Sequence, residues 1–151
     1  MTEIGFYHLT RTPLERALPA ILAKVLEAGK RAVVVTGSEE RAQLLNAVLW
    51  TYDPASFLPH GSAREGEPDA QPIWLTAEDE NPNGAEIVVL TVGATVAELG
   101  AWQRCLDMFD GNDPAAVEAA RARWRAAKQA GHALTYWQQT AAGGWEKKAE
   151  G

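Results

Sequence analysis

The sequence predicts an α/β fold with a mostly parallel sheet and helices on both faces, and two observations lead to this prediction. Strand and helix patterns alternate along residues 4–50, which is the signature of a parallel sheet. Within that alternation, the run Ala-Val-Val-Val-Thr at 32–36 is typical of a strand buried on both faces. Because a chain of 151 residues is in the usual size range of one domain, we expect residues 1–151 to form a single domain.

Four predicted elements make up the first part of the chain. In order, they are a strand at 4–9, a helix from Leu14 to about Ala28, a strand at 32–36 and a helix that ends near Trp50. We expect Thr12 to cap the first helix and Pro13 to lie in its first turn. In the first turn a backbone N–H has no partner within the helix, so the N–H that proline lacks is not missed. Gly29 ends that helix, and Ser38 caps the next one.

The second part of the chain continues the alternation after a long surface excursion at 52–83, which is rich in Pro, Gly, Asp and Glu. The elements predicted from there are a short strand at 72–75, a strand at 85–90, a helix from about Val96 to Met108, a helix from Pro114 to Ala130, and a hairpin of 133–137 with 145–148. Asp113 is the expected cap of the last helix, and Gly131 ends it. The last residues, 141–151, are predicted to be either part of that hairpin or a flexible tail.

Composition excludes several classes of protein. The net charge of -6 argues against DNA binding by the chain as a whole, so any basic site must be local. The first residues lack the pattern of a secretory signal, and no apolar run is long enough to span a bilayer. Cys105 is the sole cysteine, which excludes an internal disulfide and fits a packing role in a reducing cytosol. We therefore expect a cytoplasmic protein without a membrane partner.

The sequence predicts no catalytic residue, no metal site and no cofactor. His8, His60 and His132 are far apart and lack the paired spacing of metal ligands. The turn at 36–39, Thr-Gly-Ser-Glu, has neither the glycine pattern of a dinucleotide site nor the lysine of a P-loop. The alternative from another class is a small nucleotide-binding or hydrolytic module that uses this turn, at the carboxyl end of the second strand.

The predicted helix from 114 to 130 carries a basic stripe. At 100° per residue, one stripe holds Val117, Ala120, Trp124 and Ala127, and the stripe beside it holds Arg121, Arg125 and Lys128. Arg123 falls on the other flank, and alanines at 115, 119, 122 and 126 make a third face that could pack on a sheet. If the alanine face is buried, Trp124 and its arginines form an exposed platform for an acidic peptide. The alternative is a solvated face whose cations complement the helix dipole.

A second unusual stretch follows the helix that ends near Trp50. There, bulky aromatics such as Phe57 enter a loop punctuated by prolines, and loops on a rigid scaffold often carry binding function. Trp50 and Phe57 could form a partner-docking patch or a satellite of the core. The residues alone favour core packing, because large aromatics are usually well buried.

The order and spacing of several motifs give a resemblance over almost the entire chain. The motifs are Phe6-Tyr7 in the first strand, Gly29-Lys30-Arg31 before the second, Ala47-Val48-Leu49-Trp50 followed by Ser56-Phe57-Leu58-Pro59-His60, and the basic helix Arg121-Ala122-Arg123-Trp124-Arg125. In this combination, the chain resembles the chi subunit of the bacterial DNA polymerase III holoenzyme. The resemblance implies a Rossmann-like fold without nucleotide chemistry.

The resemblance also implies a non-catalytic adaptor that links the clamp-loader complex to single-stranded-DNA-binding protein. In that family the basic helix receives the acidic C-terminal tail of the single-stranded-DNA-binding protein. The positions carried over are Arg121, Trp124 and Arg125, with Lys128 as a neighbour. The surface for the psi subunit, or for another clamp-loader component, maps to Trp50 and Phe57, which replaces the core interpretation of both residues.

The chain departs from the family pattern at four places around the basic helix. Trp124 and Arg125 stand where members can carry Tyr and Lys, which gives a larger stacking face and a guanidinium able to hold a carboxylate by two bonds. Val117 stands where a well-known form has a basic residue, so one charge contact is missing. Tyr136 and Trp137 occupy the region where the family has a threonine near the site.

Overall fold

The computed structural model describes residues 2–10, 13–51, 61–62, 71–91, 93–141 and 144–150. These residues form eight strands and three helices. The strands are β1 Glu3–Leu9, β2 Ala32–Val35, β3 Gly61–Ser62, β4 Ile73–Thr76, β5 Ile87–Thr91, β6 Arg104–Asp110, β7 Ala133–Gln139 and β8 Trp145–Glu150. The helices are α1 Leu14–Glu27, α2 Glu39–Thr51 and α3 Pro114–Gln129. No helix among the described residues is long and apolar enough to cross a bilayer.

The eight strands form one sheet in the order β3-β4-β2-β5-β6-β1-β7-β8. Each pair of neighbours is parallel except β7 and β8, which form an antiparallel hairpin. Helices α1 and α2 pack on one face of the sheet, and α3 packs on the other. The predicted α/β class, the mostly parallel sheet, the helices on both faces and the C-terminal hairpin are therefore confirmed.

The core consists of two apolar layers, one on each face of the sheet, which meet along the central strands. All four residues of β2 are buried, and their side chains alternate between the two layers, as a strand with a side-chain period of two requires. On the α1 face, Leu18 and Leu22 of α1 are fully buried against the sheet. The prediction that the apolar run at 32–36 forms a strand buried on both faces is therefore confirmed for β2.

The predicted helix from Val96 to Met108 is wrong, because the chain forms a short 3-10 turn at Leu99–Ala101 and then strand β6. Val96, Leu99 and Trp102 follow a helix-like spacing, but they lie in a segment that packs over the sheet without forming an α-helix. Within β6, the five consecutive residues 105–109 are all buried, which is the pattern of a central strand. A carboxylate in the middle of that run, Asp107, disguised the pattern in the sequence.

Three helix ends can be compared with the predictions, and two of them agree. Pro13 occupies the N-cap of α1 without a side-chain cap bond, so the proline lies one position earlier than predicted, and Thr12 lies outside the described residues. Gly29 has a φ of 73° and ends α1 as predicted. The Asp113 side chain caps α3 by accepting a hydrogen bond from the Ala115 amide at 3.0 Å, also as predicted.

Cys105 has the packing role that the sequence predicted. Its side chain lies fully buried in β6, within the layer covered by α3. Burial raises the pKa of the thiol, with the nearby Asp107 carboxylate acting in the same direction. A thiol in this environment stays protonated and is a small apolar packing group.

Candidate functional site

Helix α3 buries its tryptophan stripe and exposes its alanines, which reverses the orientation that the alanine face suggested. Ala120 and Ala127 are 1% and 4% exposed against the sheet, and Trp124 and Val117 pack beside them. The alanines at 115, 119, 122 and 126 are exposed. The physical reason is area, because an indole removes far more apolar surface from water than an alanine methyl group does.

Arg123 belongs to the interior rather than to a ligand-binding surface. Its Nε and Nη2 atoms donate to the two oxygens of Asp107 at 2.6 and 2.9 Å. The side chains of this pair are 18% and 5% exposed, so the ion pair lies largely within the protein. Burial raises the pKa of Asp107, and the guanidinium of Arg123 opposes that rise. The forked contact ties α3 to β6.

The three predicted cations, Arg121, Arg125 and Lys128, are exposed along the flank of α3 opposite Arg123. Since Arg123 reaches β6, and since β1 separates β6 from β7, the opposite flank faces the β7 side of the sheet. Arg121 lies 4.0 Å from Glu118, in an exposed pair that contributes little stability. Neither of the other two cations forms an ion pair with a residue that the structure describes.

An aromatic cluster lies next to this basic flank. The Trp124 ring is half-buried, with its centroid 5.4 Å from that of Phe6 and 6.0 Å from that of Tyr136, both in edge-to-face geometry. Phe6 and Tyr136 are partners in the parallel register of β1 and β7, which places them side by side beneath the helix. The arrangement combines exposed positive charge with partly accessible aromatic surface, and both features favour an acidic ligand that carries an apolar group.

The structure adds His8 to this region, and it brings Tyr136, which occupies the region of the family's threonine, into contact with that histidine. The Nδ1 atom of His8 lies 2.5 Å from the Tyr136 hydroxyl oxygen. Burial raises the pKa of Tyr136, and the positive charge of Arg121 opposes that rise. In the sequence, His8 shares a strand face with Phe6, which is a usable signal. The adjacency of β1 and β7 was not predictable from that signal.

The second predicted site depends on Trp50 and Phe57. Trp50 lies in the last turn of α2, where the structure describes its backbone alone, and Phe57 lies outside the described residues. The assignment of both residues to a partner surface therefore stays a prediction.

The turn that the nucleotide-binding alternative would use has local structural roles. The Thr36 hydroxyl donates to the Ser38 carbonyl oxygen at 2.7 Å, and the Ser38 hydroxyl accepts from the Arg41 amide at 3.2 Å as a cap of α2. The topological switch point of the sheet lies elsewhere, between the neighbouring strands β1 and β6. The helix that follows β1 is α1 and the helix that follows β6 is α3, and these two helices pack on opposite faces of the sheet. A crevice of about 780 Å³ lies there, beside Leu9 and Asp110.

The fold and the site define a class of protein, namely an α/β domain with a local basic and aromatic surface on an otherwise acidic chain. Residues 1–135 match the family described as DNA polymerase III chi subunit, HolC. The chain belongs to this family.

Two relatives give the same family. One is a protein of Rickettsia prowazekii (strain Madrid E) named "Probable DNA polymerase III subunit chi", which is 30% identical over 109 residues, or 72% of this chain. The match covers 66% of the Rickettsia protein, just under two thirds. The other is the DNA polymerase III subunit chi of Escherichia coli (strain K12), 25% identical over 80% of this chain and 82% of the relative.

Proposed function

We propose that this chain is a non-catalytic replication adaptor. It binds the acidic C-terminal tail of single-stranded-DNA-binding protein on the basic flank of α3, and it links that protein to the clamp-loader complex. The observation that carries the proposal is the difference between the buried and the exposed cations of α3. Arg123 is neutralised inside the protein by Asp107, whereas Arg121, Arg125 and Lys128 stay exposed beside the Trp124 ring.

The electrostatics of α3 favour an acidic ligand despite the charge of the whole chain. The helix carries four cations and one acid, Glu118, within a protein of net charge -6. An arginine can hold a carboxylate by two parallel hydrogen bonds, and the indole offers an apolar surface for a neighbouring side chain. Because the cations are exposed, salt screens their attraction over roughly 10 Å at 0.1 M ionic strength. Binding should therefore weaken as salt concentration rises.

The variant Arg125→Ala is expected to weaken binding of the acidic tail peptide by about tenfold, which corresponds to about 1.4 kcal/mol. The reason is the loss of an exposed cation that can pair with a ligand carboxylate. Isothermal titration calorimetry of the peptide, at about 50 mM and about 200 mM salt, measures both the loss and its screening.

The matched control is Arg16→Ala, which removes the same charge from an exposed position on α1, on the other face of the sheet. This control should bind the peptide as the wild type does. Equal affinities for the two variants, or an affinity that does not change with salt, would contradict the proposed site.

The link to the clamp loader is assigned to Trp50 and Phe57. The Trp50→Ala variant is expected to lose binding to the psi subunit, or to another clamp-loader component, by about 2 kcal/mol or more, as aromatic interface anchors typically do. It should keep its affinity for the tail peptide, because Trp50 lies in the last turn of α2, and α2 packs on the opposite face of the sheet from α3. Analytical gel filtration with the clamp-loader complex measures the first effect. Co-elution equal to that of the wild type would remove this residue from the interface.

A further inference from the structure

The His8 side chain lies between Tyr136 of β7 and Gly111, the residue that follows β6. Nδ1 faces the Tyr136 hydroxyl oxygen of β7 at 2.5 Å. On the other side, the ring lies directly against Gly111, where an added Cβ would come within 2.1 Å of Nε2. Burial lowers the pKa of His8, and the backbone of Gly111 opposes that shift.

Which group donates in the contact between His8 and Tyr136 depends on the tautomer of the ring. In the tautomer that carries its proton on Nε2, the nitrogen on the Gly111 side, the neutral ring keeps Nδ1 as an acceptor and the hydroxyl of Tyr136 donates to it. When His8 takes a proton from solvent, Nδ1 becomes a donor and the tyrosine oxygen becomes the acceptor. The hydroxyl hydrogen of Tyr136 is then free to turn toward another partner.

Among the residues that the structure describes, the charged and titratable groups around His8 come from three elements. Burial and the positive charge of Arg121 of α3 lower its pKa, and Asp110 of β6 raises it, while Tyr136 of β7 contacts Nδ1. The lowering effects prevail, so the pKa of His8 lies below its usual value of about 6.5. His8 is therefore neutral at neutral pH and becomes charged only at a lower pH. The same Tyr136 ring contacts Trp124 at 6.0 Å, so a change at His8 reaches the aromatic cluster of the site.

We propose that His8 and Tyr136 are a proton-controlled part of the acidic-ligand site. Protonation of His8 adds a positive charge near Arg121 and releases the Tyr136 hydroxyl to donate to a ligand carboxylate. The inference rests on the proposed binding of an acidic peptide by α3. His8 acts as a positioning residue through Tyr136, and Tyr136 contacts the ligand.

The sign of the pH effect follows from linkage. A bound carboxylate favours the protonated ring, so the peptide raises the pKa of His8 and binds more tightly as pH falls through that pKa. The gain is confined to the window between about 6.5 and about 4, because the carboxylates of the peptide lose their own charge below it.

The test is calorimetry of the acidic peptide at about pH 7.5 and about pH 5 with the full chain and three variants. We expect the wild type and His132→Gln to bind severalfold more tightly at the lower pH. His8→Gln should lose this gain, and Tyr136→Phe should keep only the part due to the added charge. A pH gain in His8→Gln equal to that of the wild type would overturn the proposal.

A second measurement needs no variant in the binding assay. The chemical shift of the carbon-bound ring protons of His8, followed by NMR across the same pH range, gives the pKa of the ring. This pKa should be higher when the peptide is bound, and an unchanged pKa would overturn the proposal. Peptide binding that depends on Arg125 and on salt but has no His8 effect removes this inference alone. Absence of peptide binding at every pH removes the proposed function as well.

Discussion

Replacement of Arg123 by alanine is expected to destabilise the protein by about 3–5 kcal/mol, because it leaves the buried Asp107 carboxylate without its partner. The Asp107 side chain is only 5% exposed, and it accepts two hydrogen bonds from the guanidinium that the variant lacks. Urea unfolding followed by circular dichroism at neutral pH measures the free energy of unfolding.

The pH dependence of this variant separates a lost charge pair from lost packing. Without Arg123, burial alone acts on Asp107, so the pKa of this carboxyl in the folded variant lies above its unfolded value. The folded state then binds the proton more tightly, and the penalty shrinks as pH falls through that raised pKa. Arg121→Ala is the control, since its exposed pair with Glu118 should cost less than about 1 kcal/mol. A penalty that does not change with pH would refute the charge explanation.

Replacement of Trp124 by alanine should have two effects of comparable importance. It removes a half-buried indole that packs on Phe6 and Tyr136, so we expect a loss of about 3 kcal/mol in the free energy of unfolding. It also removes the aromatic surface beside Arg121 and Arg125, so peptide affinity should fall by at least tenfold, or about 1.4 kcal/mol. Chemical unfolding and calorimetry measure the two effects separately.

Trp124→Tyr is the matched control for this variant, because a phenol ring keeps the edge-to-face contacts with most of their area. We expect it to lose less than half of the stability that the alanine variant loses and to bind the peptide within a fewfold of the wild type. If the tyrosine variant folds normally but binds as weakly as the alanine variant, recognition depends on the indole itself rather than on an aromatic surface.

The charge distribution of the chain explains why its binding surface is local. A net charge of -6 repels polyanions at long range, so an acidic ligand is attracted only near the basic flank of α3. Because the charge of Arg123 is paired with Asp107, the positive charge of that flank comes from three cations. A short acidic segment suits this surface better than a long polyanion does.

Much of the fold was predictable because it depends on local patterns. The run at 32–36, Gly29 after α1 and Asp113 before α3 each carry their structural meaning within a few residues, and the structure confirms all three. Strand β6 was missed because Asp107 breaks its apolar run. Its burial is stabilised by a residue 16 positions later, and no local pattern contains that information.

The candidate site was predictable in part for the same reason. Helical periodicity alone placed Arg121, Arg125 and Lys128 on one flank of α3 and Arg123 on the other. Periodicity could not decide which flank faces the sheet, since an alanine face and a tryptophan face both offer apolar surface. That choice depends on how much apolar surface each face buries against the sheet, and this area is fixed only when the helix packs on the strands.

By itself, the sequence determined the α/β class, the C-terminal end of α1, the N-terminal cap of α3 and the basic flank of α3, because each depends on neighbours along the chain. The tertiary structure decided which stripe of α3 is buried, that Asp107 holds Arg123, and that His8 meets Tyr136. The last two contacts join residues 16 and 128 positions apart. Contacts of that kind arise only when the order of strands brings β6, β1 and β7 together beneath one helix.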